Sequence, residues 1–552
     1  MGALSIVTFL GFTLMVAGIA WYATRNTNES TADGFYLGGR SLGAVTIAGS
    51  LLLTNLSAEQ IVGLNGQSFA EGVLVMAWET LAAIALVIAA IFLLPKYMRS
   101  GITTIPEFIE GRFDHQTRGI MAVLFLIAFG AVLLPTILYS GSLAFSTMFD
   151  LPSMLGMSEW SVIWICVWSI GVIGIIYAIF GGLKAVAVSD LINAIGLLIG
   201  GLLIPIYGLS LIGDGSIAQG FNTLWASNPE KFNAVGDITS SIPLGTIFTG
   251  MMIAQVYYWG TNQSILQRVF GARSLAEGQK GMMLAAFVKF LIPVIVVLPG
   301  IIAWHVFDGN LENADQAYPA LVRKVLPTAF LGFFAAVLFG AVLSSFNSLL
   351  NSSATLFGSD LYKQYFKNSS TEKQSVRAGK IFGLVLALIS MSIAPFIARA
   401  PGGLFDYIQQ SLGSLSTPIL AVVVIGITTK YVPAIGAKIV LIVSVILYLI
   451  SLIFLGPNMV EAALMDAAAN GITDPQQLSV IQAQAYPHFL HVMGILFTFN
   501  VIVMLVIGRL YPMKEPYAPK LTEVIDTTPW KYTKPIGIAI ILLVLSTYFI
   551  FR

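Results

Sequence analysis

The sequence predicts an all-α membrane protein of 14 transmembrane helices, with a five-plus-five inverted repeat at its centre and both termini outside. Composition, run length and charge placement predict it. Of 552 residues, 57% are hydrophobic and 10% charged, where a soluble globular chain carries about 25% charge. Mean hydropathy is +0.85, and a water-exposed fold of that composition would present apolar patches that water does not tolerate. Apolar runs long enough to cross a bilayer, about 20 residues, recur along the whole length. The alternation of a membrane β-barrel is missing, which leaves helices as the spanning structure. A formal charge of +1 argues against a nucleic-acid partner.

The runs fall near 3–23, 44–71, 74–95, 119–147, 159–180, 188–213, 243–262, 281–305, 327–358, 378–397, 409–428, 437–455, 486–509 and 535–551. No Lys or Arg precedes Arg25, so the first run lacks the basic start of a cleaved signal peptide. It is expected to stay as a peripheral span, which with the loop behind it makes up residues 1–43. Five spans follow within 44–213 and five within 243–428. Five is odd, so the second group enters the membrane from the face opposite the first, as in an inverted repeat. Three further spans within 429–552 are expected at the periphery, with a short surface helix in the loop around 456–487.

The basic residues support this direction. Most of the 28 Lys and Arg lie in alternate loops, beginning with the loop after the first span; Arg25, Arg40, Lys96, Arg112, Arg118, Lys184, Arg268, Lys280, Lys367 and Lys520 are among them. Only Lys231, Arg323, Lys324, Arg399 and Arg552 fall on the other face. The positive-inside rule makes the first set cytoplasmic. A multi-pass protein of the plasma (inner) membrane is the expected location. The single cysteine, Cys166, sits in the apolar run SVIWICVWSIGVIGIIYAIF, which excludes an internal disulfide and reads as packing.

Two segments break the pattern, and each is the first span of its group. The run AVTIAGSLLLTNLSAEQIVGLNGQSFAEG carries Thr54, Asn55, Ser57, Glu59 and Gln60 at its middle. The run PLGTIFTGMMIAQVYYWGTN is short, interrupted by Gly and polar at its end. Interrupted helices at matching places in two halves point to a binding site near the bilayer midplane.

Ionisable side chains inside spans are costly and mark cavities or pathways. Glu59, Glu79, Asp190 and Lys289 are such residues. Each has an ordinary alternative: a structural ion pair, a helix cap for Glu59, or snorkelling to the interface for Lys289. Glu79, Lys289, Gln60 and Gln409 together form an electrically neutral set of donors and acceptors. A polyhydroxylated solute needs such a set, because each hydroxyl both donates and accepts. Trp78, Tyr258, Trp259 and Phe405 neighbour these positions and suit the apolar faces of a sugar ring; a lipid-facing or core role competes for each. Ser344, Ser345 and Ser348, in LFGAVLSSFNSLLNSSATLFGSDLY, offer oxygens to a hard cation, as do carbonyls freed where 44–71 unwinds. Helix-packing glue is the competing reading for these serines.

Motifs for other chemistries are missing, and an enzyme is not expected. There is no G-x-x-x-x-G-K-[ST] phosphate loop of an ATP-driven pump, no H-E-x-x-H and no G-x-S-x-G elbow. A membrane sensor would carry a soluble signalling domain, and no loop is long enough to hold one.

Several long stretches, taken in order, are more specific. LTNLSAEQIVGLNGQ, YAIFGGLKAVAVSD, YYWGTNQSILQRVFGARSLAEGQKG, AAFVKFLIPVIVVLPG and SSFNSLLNSSATLFGSDLY resemble the solute:sodium symporter family, in its sodium–glucose/galactose cotransporter branch. The resemblance is strong over about residues 30–430 and weaker in the last three spans. It implies a LeuT-like fold and a secondary active transporter that couples sodium influx to uptake of a neutral sugar, a hexose such as glucose or galactose, by alternating access. Its partners are then Na+, the sugar and the lipid bilayer. The implied sodium site uses the carbonyls of Leu53, Leu56 and Ala341 with the hydroxyls of Ser344 and Ser345. Members with a second sodium use positions matching Asp190, Ser344, Asn347 and Ser348, and Asn347 stands where a hydroxyl or small residue is usual. The implied sugar contacts are Gln60, Glu79, Gln255, Lys289 and Gln409. Gln255 replaces a usual Asn, and Ala82 a usual Ser. Trp78 replaces a Tyr at the outer gate, beside Leu64 and Phe405, and Tyr258 matches the inner gate. An inositol, an amino acid or an acidic sugar is the alternative substrate. A carboxylated one would want a cation besides Lys289, which accompanies Glu79.

Overall fold

The computed structural model describes residues 3–25, 32–180, 183–366, 369–399, 404–519 and 525–551. Lys367, Lys520 and Arg552, counted above among the loop and terminal cations, and Gly181 and Gly182 of one quoted stretch lie outside the described residues. In hydrocarbon every backbone polar group must be satisfied by the protein itself. The described residues accordingly form helices throughout, with no β-strand and only three isolated bridges. Among the described residues, eleven helices are long and apolar enough to cross a membrane, or twelve if the bent pair Leu275–Leu291 and Pro293–Val306 is one span. The expected spans at 44–71 and 243–262 are missing from that set because neither is a single helix.

The helices that position the site are α1 (Ala3–Thr24), α2 (Ala44–Asn55), α3 (Ala58–Glu71), α4 (Ala77–Ile88), α5 (Leu183–Ile212), α6 (Met252–Gly260), α7 (Gln263–Phe270), α8 (Leu275–Leu291), α9 (Thr328–Thr355), α10 (Leu404–Thr428) and α11 (Phe489–Leu510). Helix α2 packs on α5 and α8, and α5 on α9. Helix α4 packs on α6 and α8, and α6 on α10. Burial separates centre from rim. The most apolar window of Ala58–Ser100 and that of α10 are each 78% buried, against 17% for α1 and 22% for Thr533–Ile550.

The breaks have local causes. Helix α2 ends where Leu56 turns to φ −83°, ψ 62° and Ser57 is extended, so α3 restarts from Ser57. Asn and Ser side chains compete for backbone hydrogen bonds, which is why LTNLSAEQ interrupts where an apolar run would continue. The second segment opens with the short turn Leu244–Thr246, widens to a π-turn at Ile247–Met251 and ends at Thr261, where the Asn262 side chain caps α7 by accepting the Ser264 N–H at 2.9 Å. Within that π-turn Gly250 is required by space: a Cβ there would stand 1.9 Å from the Leu490 carbonyl at the start of α11.

Prolines explain four further irregularities. The 42° bend after α8 falls at Pro293, which has no N–H and crowds the carbonyl four residues earlier, that of Lys289. π-Turns at Ala89–Leu93, Phe129–Leu133 and Ser451–Leu455 each end two residues before a proline, Pro95, Pro135 and Pro457. The extra residue per turn relieves the same clash without breaking the helix. The last of these carries its span straight on through Gly456–Ala469, so the loop around 456–487 holds that extension and a second helix, Pro475–Ala485, rather than one short helix.

Candidate functional site

Lys289 lies one turn before the Pro293 bend and points inward from α8. Its Nζ donates to Glu79 Oε2 on α4, and both side chains are fully buried. The snorkelling alternative for Lys289 is therefore not realised. The other carboxylate oxygen, Glu79 Oε1, accepts from Gln60 Nε2 at 2.5 Å. Gln60 stands on α3 just after the break, so the interruption of 44–71 is what brings it to α4. From α6, Gln255 Nε2 donates to the Trp78 carbonyl at 2.7 Å.

These groups line one cavity of about 60 Å³, together with Gln409, Ala82, Asn55, Glu59, Tyr258 and Trp259. Room for one water takes about 10–15 Å³ on this measure, so the side chains enclose a space for a few waters. At one end Trp78 and Phe405 meet edge to face, ring centroids 5.3 Å apart. Helix α3 packs tightly over that end: a Cβ on Gly63 would come within 3.1 Å of Phe405 Cβ. Leu64 is buried nearby but is not among the residues that line the cavity. Tyr258 packs on Trp259, ring centroids 5.2 Å apart, and lines the cavity with Asn55. Asn55, Glu59 and Tyr258 are half-buried, whereas Trp78 and Phe405 are buried.

The start of α10, which carries Phe405, is anchored from the loop before α9. Asp315 Oδ2 accepts the Leu404 N–H at 3.1 Å, and burial pushes the Asp315 carboxyl up to about 6 against that hydrogen bond.

The second group of expected residues gathers where α2, α5 and α9 meet. Ser345 Oγ donates to the carbonyls of Leu53 and Thr54 at 3.3 and 3.2 Å. Asp190 accepts from Ser50 Oγ at 2.5 Å and from Ser344 Oγ. Leu53, Leu56, Ala341, Ser344, Asn347 and Ser348 are all buried. The side-chain polar atoms of Asn347 and Ser348 have no partner. Buried orphan oxygens beside carbonyls at a helix break are a donor set suited to a hard cation.

Sequence reasoning missed several contributors, Tyr257, Ser416 and Met493 of the cavity wall among them. Met493 on α11, a helix expected at the periphery, lines the solute cavity. Its only sequence signal was membership of an apolar run. Arg268, read as a loop cation, is fully buried on α7, because that helix packs on α2 and α9. Arg112 and Arg118 depart from the loop reading in the same way; both are buried.

Comparison with known proteins gives this geometry a context. The profile described as "Sodium:solute symporter family" matches residues 35–444. The uncharacterized symporter YidK of Escherichia coli K12 is 42% identical over 99% of this chain and 91% of its own length. The sodium/glucose cotransporter of Vibrio parahaemolyticus is 33% identical over 80% of this chain and 84% of its own. A solved structure of a Na+-coupled sialic acid symporter in a substrate-bound outward-open state superposes with a TM-score of 0.71, at 20% identity, over 94% of this chain and 99% of that one. That last likeness carries the fold alone, a LeuT-like transporter architecture. The chain belongs to the sodium:solute symporter family.

Proposed function

We propose that this protein couples sodium influx to uptake of a neutral hexose by alternating access in the cell's plasma membrane. The observation that carries the reading is the single cavity in which Glu79 and Lys289 neutralise one another beside Gln60, Gln255 and Gln409. A charge-balanced set of donors and acceptors under aromatic walls suits a ring whose rim is hydroxyl and whose faces are apolar. It offers an anion no spare cation, which disfavours an acidic sugar or a carboxylated solute. A cyclic polyol such as an inositol shares the hexose's chemistry and is the second reading.

Sodium, as the coupling ion, would be held by the carbonyls of Leu53, Leu56 and Ala341 with the Ser344 and Ser345 hydroxyls. Asp190, Ser344, Asn347 and Ser348 would take a second ion. In this reading the chain crosses the membrane 14 times, counting the two broken segments, with both termini outside and repeats at 44–213 and 243–428. Trp78 and Phe405, with Leu64, form the outer gate, and Tyr258 the inner one.

Truncating Gln60 or Gln409 to Ala leaves substrate hydroxyls or their partners unpaired, a cost of about 1–3 kcal/mol each. Apparent affinity for labelled galactose or glucose is expected to weaken about 5- to 150-fold. If neither sugar enters vesicles or competes for binding with wild-type protein, the hexose reading is wrong. Tyr258→Ala is expected to abolish coupled uptake, and Tyr258→Phe to keep the apolar cover while loosening closure. Thiol accessibility of a cysteine placed at position 255 reads the gate directly. Normal uptake and unchanged accessibility in Tyr258→Ala would make Tyr258 an ordinary wall residue.

A further inference from the structure

Arg268 is wholly buried on α7. Its Nε–H donates to Thr54 Oγ1 at 3.0 Å and its Nη1 to the Ser264 carbonyl, while Nη2 has no partner. None of the ion pairs found among the described residues includes it. A guanidinium held out of water without a carboxylate in contact is costly, and its surroundings must offset that cost. Thr54 marks the C-terminal end of α2, where the helix dipole is negative. One turn earlier on α2, Ser50 donates to the Asp190 carboxylate, as does Ser344, the neighbour of the Ser345 that bonds the Leu53 and Thr54 carbonyls. Thr54, whose carbonyl accepts Ser345 Oγ beside that of Leu53, is therefore fastened to a permanent positive charge.

We propose that Arg268 is a tethered cation that competes with sodium for one negative field, the C-terminal end of α2 and the Asp190 carboxylate, and thereby sets how readily the ion is released. The proposal rests on the sodium site described above and adds to it a residue that touches no substrate. With sodium present, two positive charges share that field, and their repulsion in a low-dielectric interior weakens the ion's hold. With sodium gone, the guanidinium still balances the carboxylate and the carbonyl ends, so the break keeps its shape unloaded. Coupled transport needs both properties: release where sodium is scarce, and an unloaded form stable enough to return.

Binding of radiolabelled sodium to the purified full-length protein, without solute, tests this apart from transport activity. Arg268→Gln keeps a polar side chain and removes the charge. Its sodium Kd is expected to fall by about 5- to 150-fold, the usual range of site coupling, with slower dissociation. Arg268→Lys keeps the charge and is expected to bind sodium much as wild type does. A purely positional role predicts the reverse, since both variants disturb Thr54 and both would weaken binding. Unchanged or weaker binding in Arg268→Gln therefore overturns the proposal. If Arg268→Gln does not fold, Arg268→Gln/Asp190→Asn, which removes both buried charges, is compared with Asp190→Asn; only tighter binding in the double variant supports the tether. Ser345→Ala separates the two levels of inference. Sodium binding lost in Ser345→Ala but not tightened in Arg268→Gln overturns the tether alone. Undiminished binding in Ser345→Ala overturns the sodium site and the tether with it.

Discussion

Lys289→Ala is expected to abolish uptake and to destabilise the protein by about 3–5 kcal/mol, the cost of leaving a buried charge without its partner. Glu79 is then a carboxylate with no exposure and one neutral hydrogen-bond partner, Gln60. It must hold an uncompensated charge or take up a proton, and either change alters the cavity wall. The double variant Glu79→Gln/Lys289→Gln removes both charges and is expected to recover most of the stability but not the transport. Thermal unfolding in detergent and uptake in vesicles, measured on both variants, check this. A Lys289→Ala protein as stable as wild type would show that the pair is not the centre of the fold's polar core.

Ser344→Ala/Ser345→Ala is expected to eliminate sodium-driven uptake while leaving the fold intact. A hard cation gives up its water only for a full set of well-placed oxygens, and this variant removes two of the five proposed. The same change frees Asp190 from one of its two hydroxyl donors and the α2 break from its contact with α9. Sodium-dependent and sodium-independent uptake, measured side by side, separate loss of coupling from loss of protein. Undiminished sodium-driven uptake would remove Ser344 and Ser345 from the ion site.

The parts of the architecture legible in the sequence were those where polarity interrupts an apolar run. Thr54, Asn55 and Ser57 announced the α2–α3 break, and Glu79 and Lys289 stood out because charge inside a span is rare enough to demand a partner. Their pairing across α4 and α8 was one of the open readings, suggested by charge balance beside snorkelling for Lys289. What stayed hidden depends on how segments fold back on one another. The sequence treats Arg268 like any cation after a span, and only the return of α7 against α2 makes it a core residue. Met493 looks like lipid-facing filler until α11 is seen against α10. Leu64 carries a gate role by resemblance, yet it is buried without lining the cavity. The bend below Lys289 was readable in principle, since Pro293 stands four residues after it, but a proline in a span does not say which way the chain will turn.

The most direct test of the account is gradient-driven accumulation in proteoliposomes that hold only the purified protein. With sodium outside and none within, labelled glucose or galactose is expected to rise above its external concentration and to fall back when a sodium ionophore collapses the gradient. Equal uptake with sodium on both sides, or with choline in its place, would contradict sodium-coupled transport of a hexose by this site.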